Sequence, residues 1–379
     1  MSAEFVLKNA KIVLADDVLT GSVLVRDGRI ADISSGNAAT GEDFEGDYLI
    51  PGLVELHTDH LEGHYAPRPK VRWNADAAIM AHDAQIASSG ITTVFDALRV
   101  GLDGDSDVDA QDMRKLADAI EAGMRDDRLR ADHFIHLRCE VSSPDCLDAF
   151  AIFENDARVK LASLMDHAPG QRQFVDLETY KTYYMRKLKL SDDEFRIYCE
   201  RRMAESASNS TPQRKAISDA CLARGIVLAS HDDATTSHVS EAIEQGIRVA
   251  EFPTTLEAAA ASKAAGMAVL MGAPNVVRGS SHSGNVSARD LAEHGHLDIL
   301  SSDYIPFSLI QSAFSLSEVV EDISLPDAVR LVTKNPAEAT ALHDRGEIAT
   351  GKRADLVRVR FDRHVPIVRT VWREGRRVI

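Results

Sequence analysis

Long apolar runs, paired cysteines and an excess of basic charge are all missing from this 379-residue chain, and no secretory leader is expected. Each absence removes a class of protein. No stretch of about 18 apolar residues occurs, so no membrane-crossing helix is expected. Met1-Ser2-Ala3-Glu4-Phe5 lacks the basic region and long apolar stretch of a secretory signal. The four cysteines (Cys139, Cys146, Cys199, Cys221) form no Cys-x-x-Cys pair, so buried or idle thiols in a reducing cytoplasm are expected. A formal net charge of -16 argues against a general nucleic-acid binder. It leaves room for an anionic small molecule, because an Arg cluster and divalent metals can reverse the field inside one cleft. At 44% hydrophobic, the chain can bury a large core, as one big domain or a domain with an appendage.

Two kinds of pattern occupy the chain. At the start, Phe5-Val6-Leu7, Lys11-Ile12-Val13-Leu14 and Ser22-Val23-Leu24-Val25 read as short strands, with Asp27-Gly28 as a tight turn before Arg29-Ile30. The stretches 354–359, 364–368 and 371–376 repeat that style. Each set is too small to fold alone, so residues 1–50 and 345–379 are expected to pair into one composite β-sandwich. Between them, within 51–344, strand and helix alternate. Strands are expected at 53–57, 91–96, 133–140, 160–166, 226–230, 249–252, 268–271 and 298–302, with helical stretches such as 75–88, 110–124 and 255–265. Eight such units favour a (β/α)8 TIM-like barrel over a doubly wound sheet. The charged, Tyr-bearing connection 173–214 reads either as a helical insertion over the barrel mouth or as a surface excursion.

The strand ends carry the chemistry. Leu53-Val54-Glu55-Leu56 runs into His57-Thr58-Asp59, and period-two alternation puts His57 and Asp59 on one face. Later apolar runs finish in Cys139-Glu140, Met165-Asp166-His167, Ser230-His231-Asp232-Asp233 and Ser302-Asp303. Barrel active sites sit at such C-terminal ends. A mixture of imidazole and carboxylate there suits zinc, manganese or iron. Glu140 is expected to bridge if two metals are present. Asp232 and Asp233 read as a helix cap and a partner for His231 rather than as ligands. His60, Glu62 and His64 either extend the site or are solvated. Arg278-Gly279-Ser280-Ser281-His282-Ser283-Gly284-Asn285, together with Arg68, Lys70, Gln171 and Arg172, supplies cations and small donors suited to polyphosphate.

These features resemble the amidohydrolase superfamily: the Pro51-Gly52-Leu53-Val54-Glu55-Leu56-His57 start, the Gly90-Ile91-Thr92-Thr93-Val94 strand, Ser302-Asp303, Thr333-Lys334-Asn335-Pro336-Ala337 and the Gly351-Lys352-Arg353-Ala354-Asp355-Leu356 tail. Pro67-Arg68-Pro69-Lys70, Leu137-Arg138-Cys139-Glu140, the run from Leu164 to Phe174, Ala229 to Thr235 and Met271 to Asn285 narrow the likeness. They resemble the diphosphatases of the bacterial carbon–phosphorus lyase pathway. That resemblance implies hydrolysis of α-D-ribose 1-methylphosphonate 5-triphosphate to the 5-phosphate and pyrophosphate. One or two divalent ions (zinc, manganese or iron, with magnesium accompanying the triphosphate) would be held by His57, Asp59, Glu140, His167, His231 and Asp303. Asp303 and His231 would be catalytic, and Arg68, Lys70, Gln171, Arg172, Arg278, Ser281, His282 and Asn285 would bind substrate.

The chain also departs from the superfamily pattern. Asp59 stands where a second His is usual, Glu251 ends the sixth strand in place of a His, and no lysine ends the fourth. These departures leave open the metal count and the roles of His60, His64 and Glu251, and they weigh against amide hydrolysis. The alternative is a metal-dependent amidohydrolase or deaminase acting on a cyclic amide or base, which would not need the Arg-bearing loops. A non-catalytic scaffold and a two-carboxylate glycosidase fit the histidines less well. A cytoplasmic enzyme is the expectation, with a homodimer left open because no surface pattern fixes it, and with no nucleic-acid or membrane partner.

Overall fold

The computed structural model describes residues 4–36, 38–101, 108–172, 180–181, 190–279 and 285–379. From the start run β1 (Glu4–Val13), β2 (Val18–Arg26), β3 (Arg29–Ser35), β4 (Glu42–Asp43) and β5 (Tyr48–Pro51). Then come β6 (Leu53–Thr58), β7 (Ile91–Val100), β8 (Asp132–Glu140), β9 (Val159–Met165), β10 (Val227–His231), β11 (Val249–Glu251), β12 (Ala268–Gly272) and β13 (Ile299–Ser301). The last three are β14 (Leu356–Asp362), β15 (Val365–Arg373) and β16 (Arg376–Arg377). One sheet runs β16-β15-β14-β5-β1-β2-β3 with β4 beside β1, and the other follows chain order from β6 to β13. The fold is therefore the expected (β/α)8 barrel, and the two chain ends, expected to form a composite sandwich, build one continuous sheet.

The helices up to residue 224 include α1 (His60–Tyr65), α2 (Ala75–Ser88), α3 (Ala110–Arg125), α4 (Cys146–Ala151) and α5 (Asp192–Arg224). Residues 173–179 and 182–189, the first part of the expected insertion, lie outside the described residues, as do Ser281 and His282. α5 covers the rest of that insertion and runs past it, over 33 residues. Ser191 and Glu194 form a capping box at its start and Gly225, at φ 67°, ends it in the left-handed region.

The chain divides into two compact units. One comprises Met1–Asp96, Ala119–Phe134 and Met271–Ile379; the other comprises Ala97–Asp118 and Ile135–Leu270.

In the first unit, the terminal sheet packs Leu7, Ile12, Val23, Val25, Ile30, Phe44, Leu49, Leu356 and Trp372 into one apolar cluster. Each such buried aliphatic side chain contributes roughly 1.5–3 kcal/mol. Two expected short strands join as the ten-residue β1, which absorbs an irregularity between Leu7 and Ala10 where Asn9 takes φ 55°. β5 pairs with β14, Leu356 opposite Pro51, which ties the two chain ends together. β6 lies parallel to β7 and is buried along its whole length. Near the starting ends of β7 and β8, Asp132 meets Arg345 and Arg353 at 2.8 Å each and Arg373 at 3.4 Å, and Arg345 also donates to Thr93 at 2.9 Å.

In the second unit, β8, β9, β10, β11 and β12 pair in parallel, one after another. α5 docks through polar groups: Asn209 donates to the Ser142 carbonyl (3.0 Å), Gln213 to that of Ser143 (2.8 Å), and Ser206 and Ser210 to Asp166 (2.7 and 2.6 Å).

Candidate active site

Alternation along β6 decides which of its side chains share a face: Glu55, His57 and then Asp59 just beyond it. Glu55 is fully buried and braces the group. It accepts from the backbone N–H of His57 at 2.7 Å, from the Ser301 hydroxyl at 2.6 Å and from the Ser302 N–H at 2.6 Å. Burial raises its carboxyl above the usual range, while those three donors pull it back. The backbone of Asp303 exchanges hydrogen bonds with the end of β6: Asp59 N–H donates to the Asp303 carbonyl and Asp303 N–H to that of His57, both at 3.1 Å. Asp303 itself sits at φ 56°. His57, Asp59 and Asp303 each bring one ligand-capable atom within 4.8 Å of the others, and His57 Nε2 lies 3.8 Å from Asp59 Oδ1.

The second unit holds a group of its own. His167, His231 and Asp232 converge: His167 Nε2 is 3.6 Å and His231 Nε2 3.5 Å from Asp232 Oδ2. That oxygen is buried and accepts no hydrogen bond. Two imidazole nitrogens around an unsatisfied carboxylate oxygen is the donor chemistry of a divalent cation site, so the residues fit the metal that the sequence implied. Asp232, expected only to cap or support, is thus part of the group. Thr235 is the cap of the following helix, accepting from His238 N–H at 3.3 Å.

Each histidine is aimed by a carboxylate. Glu140 accepts from His167 Nδ1 at 2.6 Å, from the His167 N–H at 3.1 Å and from the Ser142 hydroxyl at 2.5 Å. Both its oxygens thus face His167 and Ser142, where the sequence reading has Glu140 bridge two metals. Burial opposes charge on both partners, yet their attraction outweighs it. Glu140 is held down to about 2, and His167, helped by Asp232, is lifted to about 9. Glu251 is buried and stands 3.2 Å from His231 Nδ1 while accepting from Ser163 at 2.6 Å.

The expected anion binders fare differently. Arg172 is buried, and its guanidinium is committed to Asp233 and, at 2.6 Å, to Glu241. Its charge is neutralised inside the protein, where the sequence reading has it meet substrate. Arg68 and Lys70 are exposed on the turn after α1, Gln171 is exposed, Arg278 is exposed at the end of helix Ala273–Arg278, and Asn285 is half-buried. His60 and His64 lie on α1, where burial and the neighbouring histidines push His60 down to about 4 and His64 below its usual value.

Sequence reasoning gave no role to Glu55, Glu251, Ser163 or Arg202. Glu55 carried a signal, since it precedes His57 by two positions on a strand, and Glu251 ended an otherwise apolar run. Arg202, buried on α5 and donating to Ser142 at 3.1 Å, had none.

The chain is 48% identical over 377 residues to the α-D-ribose 1-methylphosphonate 5-triphosphate diphosphatase of Escherichia coli K12, covering 98% of this chain and 100% of that one. An adenine deaminase from Desulfatibacillum aliphaticivorans is 24% identical over 93% of this chain and 54% of its own length. Among solved structures, the N-acetylglucosamine-6-phosphate deacetylase of Pasteurella multocida shares the fold, with a TM-score of 0.65, 15% identity and 99% of each chain covered. The 5-methylcytosine deaminase of Klebsiella pneumoniae does so at a TM-score of 0.64 and 15% identity, over 99% of this chain and 98% of that one. The family model for the amidohydrolase family matches residues 84–379. With His and Asp at the ends of its barrel strands and a sheet made from both termini, the chain belongs to the amidohydrolase family.

Proposed function

We propose that this protein hydrolyses α-D-ribose 1-methylphosphonate 5-triphosphate to the 5-phosphate and pyrophosphate with the help of divalent metal. The observation that carries this reading is the near end-to-end match, 48% identical, to a diphosphatase of that substrate.

His57, Asp59 and Asp303 would hold one cation, and His167, His231 and Asp232 another; these mixed donor sets suit zinc, manganese or iron. A cation bound there supplies Lewis acidity and makes water a better nucleophile at neutral pH. Asp303 takes the proton from the attacking water, its backbone fixed against β6 by the two 3.1 Å hydrogen bonds. Glu251 keeps the His231 ring oriented through Nδ1, and Glu140 does the same for His167. Arg68, Lys70 and Arg278, with Gln171, Ser281, His282 and Asn285, bind the triphosphate. Phosphoryl transfer asks chiefly for charge neutralisation and in-line positioning, which such groups provide. Attack at the α-phosphorus expels β,γ-pyrophosphate as the leaving group.

Phosphorus NMR of the metal-loaded protein with this substrate in oxygen-18 water tests the reading. It requires pyrophosphate to appear together with a 5-phosphate carrying the label, and chelator to abolish both. Stepwise release of inorganic phosphate would place attack at the γ-phosphorus. No turnover with metal loaded would favour a cyclic amide or base, the substrate class to which the adenine deaminase relative points.

A further inference from the structure

Away from the groups described above, α1 and α2 bring three more imidazoles together. His60 and His64 are four residues apart on α1 and so share one helix face. His82 comes from α2 and is fully buried. The ring centroids are 4.9 Å apart for His60–His64 and 6.0 Å for each of the pairs with His82. One ring nitrogen from each lies within 4.8 Å of the other two. Nδ1 of His60, Nε2 of His64 and Nδ1 of His82 are all buried and make no hydrogen bond. Three buried ring nitrogens left unmatched in one place are costly to the fold unless something binds them.

The surroundings fix the tautomer of His82. Its Nε2 lies 2.7 Å from Asp96 Oδ1, an ionised carboxylate that can only accept, so the proton stands on Nε2 and Nδ1 presents its lone pair. Asp96 is anchored in turn. Its other oxygen lies 2.7 Å from His133 Nδ1, and His133 Nε2 is 3.3 Å from Asp83. Asp83 also accepts from the N–H groups of Arg130 at 2.7 Å and Ala131 at 3.0 Å. A carboxylate behind a histidine whose other nitrogen is bare is how proteins orient metal-binding imidazoles.

We propose that His60, His64 and His82 bind a borderline divalent cation of the zinc class, and that this ion clamps α1 to α2. Three neutral imidazoles with no carboxylate among them select zinc, cobalt or nickel over magnesium, calcium or manganese. His60 and His64 are only partly buried, which gives the ion a way in. The clamped helix begins directly after Asp59, its N-cap, so the ion steadies the segment that leaves β6. The proposal does not depend on which reaction the protein catalyses.

The test compares the full-length protein with His64→Ala and His60→Ala after chelator stripping, zinc reloading and dialysis. Both altered side chains are half-exposed and retention of fold is read by circular dichroism. Elemental analysis should find one zinc fewer per chain in each variant than in the wild type. The zinc-induced rise in melting temperature should shrink in both, and cobalt-loaded wild type minus variant should leave the absorption of a nitrogen-rich site. Zinc bound at the strand ends cancels in that difference. Equal zinc per folded chain in the wild type and either variant would overturn the proposal and leave a stack of neutral, water-bridged rings.

Discussion

The starting and finishing ends of the barrel strands treat buried charge in opposite ways. At the starting ends of β7 and β8, opposite charges are set against one another: Asp132 faces three arginines, and Arg345 reaches Asp132, Asp344 and Thr93. At the finishing ends, buried acceptors such as Asp232 Oδ2 stay unsatisfied, and Asp232, Phe252 and Asp303 hold left-handed φ angles of 56°, 53° and 56°. Such conformations cost of order 1–3 kcal/mol each outside glycine and persist where the surrounding structure over-determines them. One end of the strands is arranged for stability; the other keeps unspent binding capacity. The same division is seen in barrel enzymes generally, whose sites occupy the C-terminal ends.

Mutations can separate the two ends. The largest effect is expected from Asp303→Asn, which should lower turnover about 10²–10⁴-fold while barely moving the melting temperature. Full activity in steady-state pyrophosphate release would remove Asp303 as the base. Arg345→Ala should do the reverse, costing about 2–3 kcal/mol in urea unfolding because Asp132 and Thr93 lose a charged donor, with turnover per folded molecule retained. Glu251→Gln should weaken metal affinity by about 10–100-fold through His231, seen in chelator competition; unchanged affinity would mean the ring is held by other contacts.

A pH series sharpens the comparison inside the first unit. Burial works against both charges of the Asp96–His133 pair, but their mutual attraction holds Asp96 down to about 2 and lifts His133 to about 10. The depressed carboxyl contributes stability that is full above its unfolded value of 3.8 and is lost as pH falls towards 2. The raised imidazole contributes stability that is full below 6.5 and is lost as pH climbs through 10. Urea midpoints should therefore fall on both sides of the window between these unfolded values, and Asp96→Asn should flatten both limbs. The smallest change in stability is expected from Asp303→Gly, where relief of the left-handed φ of 56° should raise it by up to about 1 kcal/mol, read in the same urea series.

Much of this organisation was legible in the residues. All eight barrel strands fall where apolar runs bounded by turn residues put them, and helix Ala75–Ser88 matches its expected limits, because Asn74 caps it, accepting from Ala77 N–H at 2.9 Å. The strand-end ligands were visible because alternation assigns faces. Long-range partners were not. Nothing local announces that Arg172 is consumed by Asp233 and Glu241, that Glu140 spends its oxygens on His167 and Ser142, or that His82 in an ordinary-looking helix meets His60 and His64. Such pairings depend on how distant segments pack, which periodicity does not encode.

The pairing of β5 with β14 sets a timetable for synthesis. β5 emerges early, yet its partner strand at 356–362 is made only after the entire barrel segment. At typical translation rates that interval lasts roughly 15–60 s. Throughout it the edge of β5 has no partner on that side, and Leu356 and Trp372 are missing from the apolar cluster. Nascent chains stalled before residue 356 should therefore be cut by protease within β1 to β5, whereas released chains resist. For a growing chain of this kind, the dangerous moment is a long wait with one sheet half-built, and a chaperone that covers an unpaired strand edge would earn its keep there.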